Sequence, residues 1–223
     1  MGRRRAFSAA FHQKRKLYCG KGTEIKFCDC AWREGISPAV SVQKGEVNMR
    51  LVVITGTCGA GKSTIKDEME KRLDPCQYAC ADTDELGINW WDYAGTDYEH
   101  QFSEDCLKEA VRRAKGRDLV FVSCLNPQDY ISRHTVPGDI ESTYFIVLCP
   151  SDEKIEQRLR ARPKERGFDS DEAIRPQIEY NQWFRKNRGK VPLFIDNSEL
   201  SVEETAERII SFITNLPKYR ENQ

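Results

Sequence analysis

From residue 50 onward the apolar positions come in short runs separated by longer amphipathic stretches. Leu51-Val52-Val53-Ile54 is continuous and largely β-branched, the pattern of a strand buried on both faces, and a glycine loop and a helix over Ser63 to Leu73 follow it. Gln77 to Ala81 reads as a second short strand, Glu99 to Ala114 as a helix, and Asp118 to Val122 as a third strand built on Leu119-Val120-Phe121-Val122. Tyr144 to Leu148 predicts a fourth strand, with helices over Asp152 to Arg162 and Ser170 to Lys186 after it. Val191 to Ile195 gives a fifth strand and Val202 to Leu216 a closing amphipathic helix. Strands alternating with helices imply an α/β fold: a five-stranded parallel sheet with helices on both faces and right-handed crossovers. No internal repeat or low-complexity tract interrupts the pattern.

The first 48 residues are built differently. Met1 to Gly22 carries Arg3, Arg4, Arg5, Lys14, Arg15, Lys16 and Lys21, has no acidic residue before Glu24, and shows neither helical nor strand period. A transit peptide has such a composition; a flexible basic arm, or an extension upstream of a natural start at Met49, is the favoured reading. The chain therefore divides into a basic, flexible extension over 1–48 and one domain over 49–223. Cys19, Cys28 and Cys30, with His12 nearby, lack the paired C-x₂₋₄-C spacing of a structural zinc site and read as unrelated cysteines.

Composition narrows the function classes. Charged residues at 31% and hydrophobic residues at 39% of 223 describe a soluble globular chain. Lys+Arg and Asp+Glu are equal at 35 each, so no global field draws in nucleic acid or an anionic membrane, and charge-based recognition must be local. Nine cysteines, an odd count scattered through apolar stretches at positions such as Cys80, Cys124 and Cys149, suit reduced thiols of a cytoplasmic protein better than a disulfide framework. No apolar run approaches the roughly 20 residues that cross a bilayer.

The strongest chemical signal is Gly56-Thr57-Cys58-Gly59-Ala60-Gly61-Lys62-Ser63, which matches G-x-x-x-x-G-K-[ST] between a buried strand and a helix. Glycines let successive backbone N–H groups turn inward on phosphate oxygens, and the helix beginning near Lys62 adds its positive end, with Thr64 in the same first turn. Lys62 would span the β- and γ-phosphates of ATP, and the Ser63 hydroxyl would ligate Mg²⁺. A chance match in a chain of this length has a probability on the order of 1%, and the strand and helix flanks reduce it further. Cys58 inside the loop reads as a small side chain at a tolerant position.

Asp82-Thr83-Asp84-Glu85 closes the second strand, expected to lie beside the first, at the carboxyl edge where such sheets bind ligands. A carboxylate there can hold Mg²⁺ or take a proton from an attacking hydroxyl. Asp82 and Asp84 are assigned those roles, and Glu85 that of a helix-start acid. Further on, Arg158-Leu159-Arg160-Ala161-Arg162-Pro163-Lys164-Glu165-Arg166-Gly167-Phe168 joins two helices and is dense in guanidinium groups, with Arg175 beyond it. Arginines that close over a transferring phosphoryl group stabilise its spread charge.

The P-loop, the Asp-Thr-Asp-Glu-Leu stretch and the series Arg158-Leu159, Arg162, Arg166, Asp169-Ser170-Asp171, Arg175, Tyr180 resemble the nucleoside monophosphate kinase group, which includes adenylate, shikimate and gluconate kinases. The resemblance covers about Met49 to Leu216. It implies a three-layer P-loop NTPase fold with an arginine-rich lid, Arg162 near adenine or phosphates, and Arg166 and Arg175 on phosphates. Asp196-Asn197-Ser198 resembles the loop bordering adenine, and Val122-Ser123-Cys124-Leu125 is similar to the gluconate kinase branch. The third strand ends without an acidic residue, so metal binding falls to Ser63 and Asp82.

The acceptor segment departs from that group. Between Arg72 and Lys108 there is no Lys or Arg, but there are Asp82, Asp84, Glu85, Asp92, Asp97, Glu99, Glu104 and Asp105. Such a segment repels anionic acceptors, and Trp90, Trp91 and Tyr93 offer rings for stacking or for core packing. Arg133 and His134 are the nearby groups that would rescue an anion. The expected activity is therefore transfer of the γ-phosphoryl group of ATP to a hydroxyl of a nucleoside, sugar or aminated alcohol, by a monomer or homodimer in which Asp82 or Asp84 is the base. A nucleotide kinase is the alternative enzyme, and an ATP-dependent switch or assembly protein the alternative of another class. Polynucleotide kinases are disfavoured by the acidic segment, because phosphate contacts dominate nucleic-acid affinity.

Overall fold

The computed structural model describes residues 49–127, 130, 137–164, 167–168 and 170–217. The basic extension, with Cys19, Cys28, Cys30 and His12, lies outside them. Five strands, β1 (Met49–Thr55), β2 (Tyr78–Asp82), β3 (Asp118–Val122), β4 (Ile140–Leu148) and β5 (Leu193–Ile195), form one parallel sheet in the order β2-β3-β1-β4-β5. The described helices are α1 (Lys62–Arg72), α2 (Gln101–Ala114), α3 (Asp152–Arg160), α4 (Asp171–Lys186) and α5 (Val202–Thr214).

Every residue of β1 is buried, and its alternating side chains divide between two cores. Val52 and Ile54 join Ile65 and Met69 of α1, Ile155 and Leu159 of α3, Ile174 of α4, and Ile209 and Ile213 of α5. Leu51 and Val53 point the other way, to Phe121, Phe145 and the Leu107–Ala110 side of α2. This is the three-layer arrangement that two-faced burial of a central parallel strand requires.

One expectation is corrected. β2 does not lie beside β1, because β3 stands between them, with Leu119, Val120, Phe121 and Val122 opposite Leu51, Val52, Val53 and Ile54. The four β3 residues are all buried, whereas Ala79 and Cys80 of β2 are only partly so. The more continuous apolar strand takes the inner place. At the lower edge of the sheet the Arg50 side chain donates to the Asp118 carboxylate, its Nε at 2.8 Å, and to the carbonyls of Leu216 and Pro217, so one side chain ties β1, β3 and the end of the described chain together.

Candidate active site

β1 delivers the chain to the carboxyl edge of the sheet, where residues 56–61 turn back into α1. Gly56, Gly59 and Gly61 all have positive φ, at 151°, 86° and 96°. At Gly56 a Cβ would run into the carbonyl oxygen of Leu148, so β4 leaves the loop no space for a side chain there. Gly61 is the N-cap of α1 and brings no capping side chain, which leaves first-turn N–H groups of the helix to an external acceptor. Lys62 reaches back over the loop, its Nζ donating at 2.9 Å to both the Gly56 and Thr57 carbonyls. A glycine-walled turn, an uncapped helix start and an ammonium across its mouth together fit a polyphosphate. Thr64 is exposed in the same turn.

Ser63, in the first turn of α1, and Asp82, at the end of β2, meet although β3 separates β1 from β2. The Ser63 hydroxyl donates to Asp82 Oδ2 at 2.7 Å, and Asp82 Oδ1 accepts the backbone N–H of Asp84 at 3.1 Å. Asp82 is 5% exposed, whereas Asp84, two residues further along the chain, is exposed. Glu85 turns away to the buried Lys66, at 2.7 Å, and so ties this turn to α1. Among the described residues no cluster of three or more His, Cys, Asp or Glu forms a ready-made metal cage. A hydroxyl and one carboxylate match Mg²⁺, an oxygen-seeking ion that takes few protein ligands and keeps water and substrate phosphate for the rest.

Two residues assigned to the nucleotide are engaged with the loop's backbone. Arg158 Nη1 donates to the carbonyls of Gly59 at 3.2 Å and Ala60 at 3.4 Å, and burial holds this guanidinium below its ordinary pKa. Asn197 is buried and its Nδ2 donates to the Ala60 carbonyl at 3.0 Å, while its Oδ1 has no partner among the described residues. Both brace the outer wall of the cradle. Arg162 is exposed, with its guanidinium 5.5 Å from the Phe168 ring centroid. Arg175 is exposed on α4. Arg133, His134 and Arg166 lie outside the described residues.

The aromatic residues of the acidic segment form a half-buried cluster against the start of α2. Trp90 and Tyr93 both meet the Phe102 ring edge-on, at 5.1 Å and 5.5 Å, and the Tyr93 hydroxyl donates to Asp105 at 2.9 Å. Trp91 is half-buried beside them. Sequence reasoning missed Gln177 of α4, whose Oε1 accepts from Thr57 Oγ1 and from the Cys58 N–H, and Asn181, which holds Pro150 and Asp152 from the same helix. The only local signal for either is a polar residue on an otherwise apolar helix face.

A family model described as AAA domain matches residues 52–178. A search of curated proteins gives no match. Among solved structures, the shikimate kinase of Acinetobacter baumannii in complex with shikimate is 16% identical with a TM-score of 0.51, over 77% of this chain and 97% of that one. The tunicamycin resistance protein of Deinococcus radiodurans is 16% identical with a TM-score of 0.50, over 74% and 96%. At such identity the likeness is one of fold.

Proposed function

We infer that this chain, which belongs to the AAA domain family, is an ATP-dependent kinase that passes the γ-phosphoryl group to a hydroxyl of a small neutral or cationic acceptor. The observation that supports the reading is the Ser63–Asp82 contact beside a P-loop, where a hydroxyl and a buried carboxylate of the kind that suits Mg²⁺ meet. The shared fold with shikimate kinase supports it.

Bound Mg²⁺ and ATP would supply the phosphoryl group and neutralise part of its charge. Ser63 and Asp82 are the residues that would hold the ion. Lys62 exchanges the carbonyls of Gly56 and Thr57 for phosphate oxygens, while the loop's N–H groups and the start of α1 orient the chain of phosphates. Asp82 is held by Ser63 and by the Asp84 N–H, and the acceptor proton passes to the solvent-exposed Asp84 carboxylate as the new P–O bond forms and ADP departs. Arg162, with Arg166, completes the charge stabilisation from the lid. Trp90, Trp91 and Tyr93 wall the acceptor side, and the absence of Lys and Arg between residues 72 and 108 selects against an anionic acceptor.

The test is ADP release from ATP and Mg²⁺ against a panel of nucleosides, sugars, aminated alcohols and nucleoside monophosphates. The expected result is turnover with one of the first three classes, reduced about 100-fold or more by Asp84→Asn and by Asp82→Asn. Turnover with monophosphates alone would overturn the acceptor assignment. ATP binding without acceptor-dependent turnover would replace the kinase by an ATP-dependent switch or assembly protein.

A further inference from the structure

Gln177 is fully buried on α4, the helix that follows the arginine-rich connection, and it reaches the P-loop from across 119 and 120 residues of sequence. Its Oε1 accepts the Thr57 hydroxyl at 2.8 Å and the Cys58 N–H at 3.1 Å, and its own backbone carbonyl lies 3.0 Å from the same hydroxyl. Both loop groups present donors, so the amide must turn its oxygen to them. Its Nε2 is left buried with no acceptor among the described residues. A primary amide in this position costs desolvation that an apolar side chain of the same length would avoid. What the amide provides instead is the pair of bonds to the loop. One turn further along the same face, Asn181 is also fully buried and donates to Pro150 O at 2.7 Å and Asp152 Oδ1 at 3.0 Å, which locks α4 against the chain between β4 and α3.

Two buried polar side chains on one helix face thus grip the P-loop and the entry to α3. Arg175 stands two residues before Gln177, about 200° round the helix, exposed and away from the loop. Gln177, not Arg175, is the side chain through which α4 reaches the phosphate cradle. The Cys58 N–H is consumed by this bond, so phosphate contacts fall to the loop residues after it.

We propose that Gln177 is a positioning residue for the phosphate cradle, holding the second and third residues of the P-loop to α4 so that the loop keeps the shape that binds the phosphates of ATP. This rests on the ATP-binding part of the reading above.

The experiment is a double-mutant cycle on the full chain, reading the Kd of ATP with Mg²⁺ by calorimetry without acceptor, and the melting temperature. Gln177→Met keeps length and removes the acceptor; Thr57→Val removes the donor. Each hydrogen bond corresponds to a roughly fivefold change, so each variant should raise Kd about fivefold to tenfold, and the double variant should raise it no further than the worse single one. Ile174→Val, a core change on the same helix, should lower the melting temperature and leave Kd unchanged. If Gln177→Met does not fold, Thr57→Val carries the same expectation. Additive effects in the double variant, or a lowered melting temperature with unchanged Kd in Gln177→Met, would refute the proposal. A wild-type chain that does not bind ATP overturns both this and the kinase reading, whereas ATP binding without turnover overturns the kinase reading alone.

Discussion

At the scale of single residues, the cradle depends on one place where nothing but hydrogen fits. Gly56→Ala would force a methyl group onto the Leu148 carbonyl at a φ of 151°, and strain of about 1–3 kcal/mol is expected from the backbone conformation before the collision is counted. The variant should melt several degrees lower and lose ATP binding, as thermal melts with and without ATP would show. A second prediction concerns acid. The Arg112 and Arg113 side chains hydrogen-bond the Glu109 carboxylate and hold its pKa at about 2, below its ordinary 4.5. Its stabilising effect is therefore complete above pH 4.5 and disappears as pH falls through about 2. Glu109→Gln should be less stable than the wild type in urea melts at pH 7, by a difference that shrinks toward zero near pH 2. A difference that persists unchanged at pH 2 would show that the carboxylate's charge is not its origin. A third prediction concerns thiols: burial pushes Cys80 and Cys106 up to about 12, so at pH 8 the exposed Cys76 should react with a maleimide well before either.

At the scale of elements, the best-specified helix is α5. Ser201 accepts the Glu204 N–H at 3.1 Å, and the Glu204 side chain accepts the Ser201 N–H at 2.8 Å, a reciprocal capping box that fixes where the helix starts. Ser201→Ala should cost about 1 kcal/mol, read as a melting temperature lower by roughly 2–4 °C, and an unchanged temperature would mean that the box contributes nothing. Elements of this kind were legible in the sequence. β1 and β3 were so because a strand buried on both faces must be apolar throughout, and the P-loop because its function forces a spacing. β4 was read short, from Tyr144, because Glu141, Ser142 and Thr143 give no apolar signal; pairing with Met49, Arg50 and Leu51 extends it to Ile140. β5 was read long because Val191 looks like strand, yet Pro192 has no N–H to give and the ladder begins at Leu193.

At the scale of the whole molecule, what the sequence withheld is whatever joins distant segments. Strand order, the Gln177 tie, and the bracing of Ala60 by Arg158 and Asn197 across 98 and 137 residues have no local signature. Ser63 and Asp82 could each be singled out because each sits on a recognisable motif, but the hydrogen bond between them has no local signature. β1 opens with Met49, whose N–H is bonded to Asp139 O at 3.0 Å, so the described residues within 49–217 hold the first residue of the central strand by themselves. A chain lacking them should melt within about 1 °C of the full one and bind ATP equally well; a marked loss in either would give the basic extension a part in the fold or the site.

The central place of β1 also sets a timetable. Its partners lie on β3 and β4, and the wall behind Gly56 is the last residue of β4, so the phosphate cradle has no shape until Leu148 has been made. Residue 56 leaves the ribosome on the order of ten seconds earlier at common rates of synthesis. For that interval the nascent chain carries the complete P-loop motif without the strand that walls it, so a ligand of the finished loop would act on the domain after its sheet is made, not before.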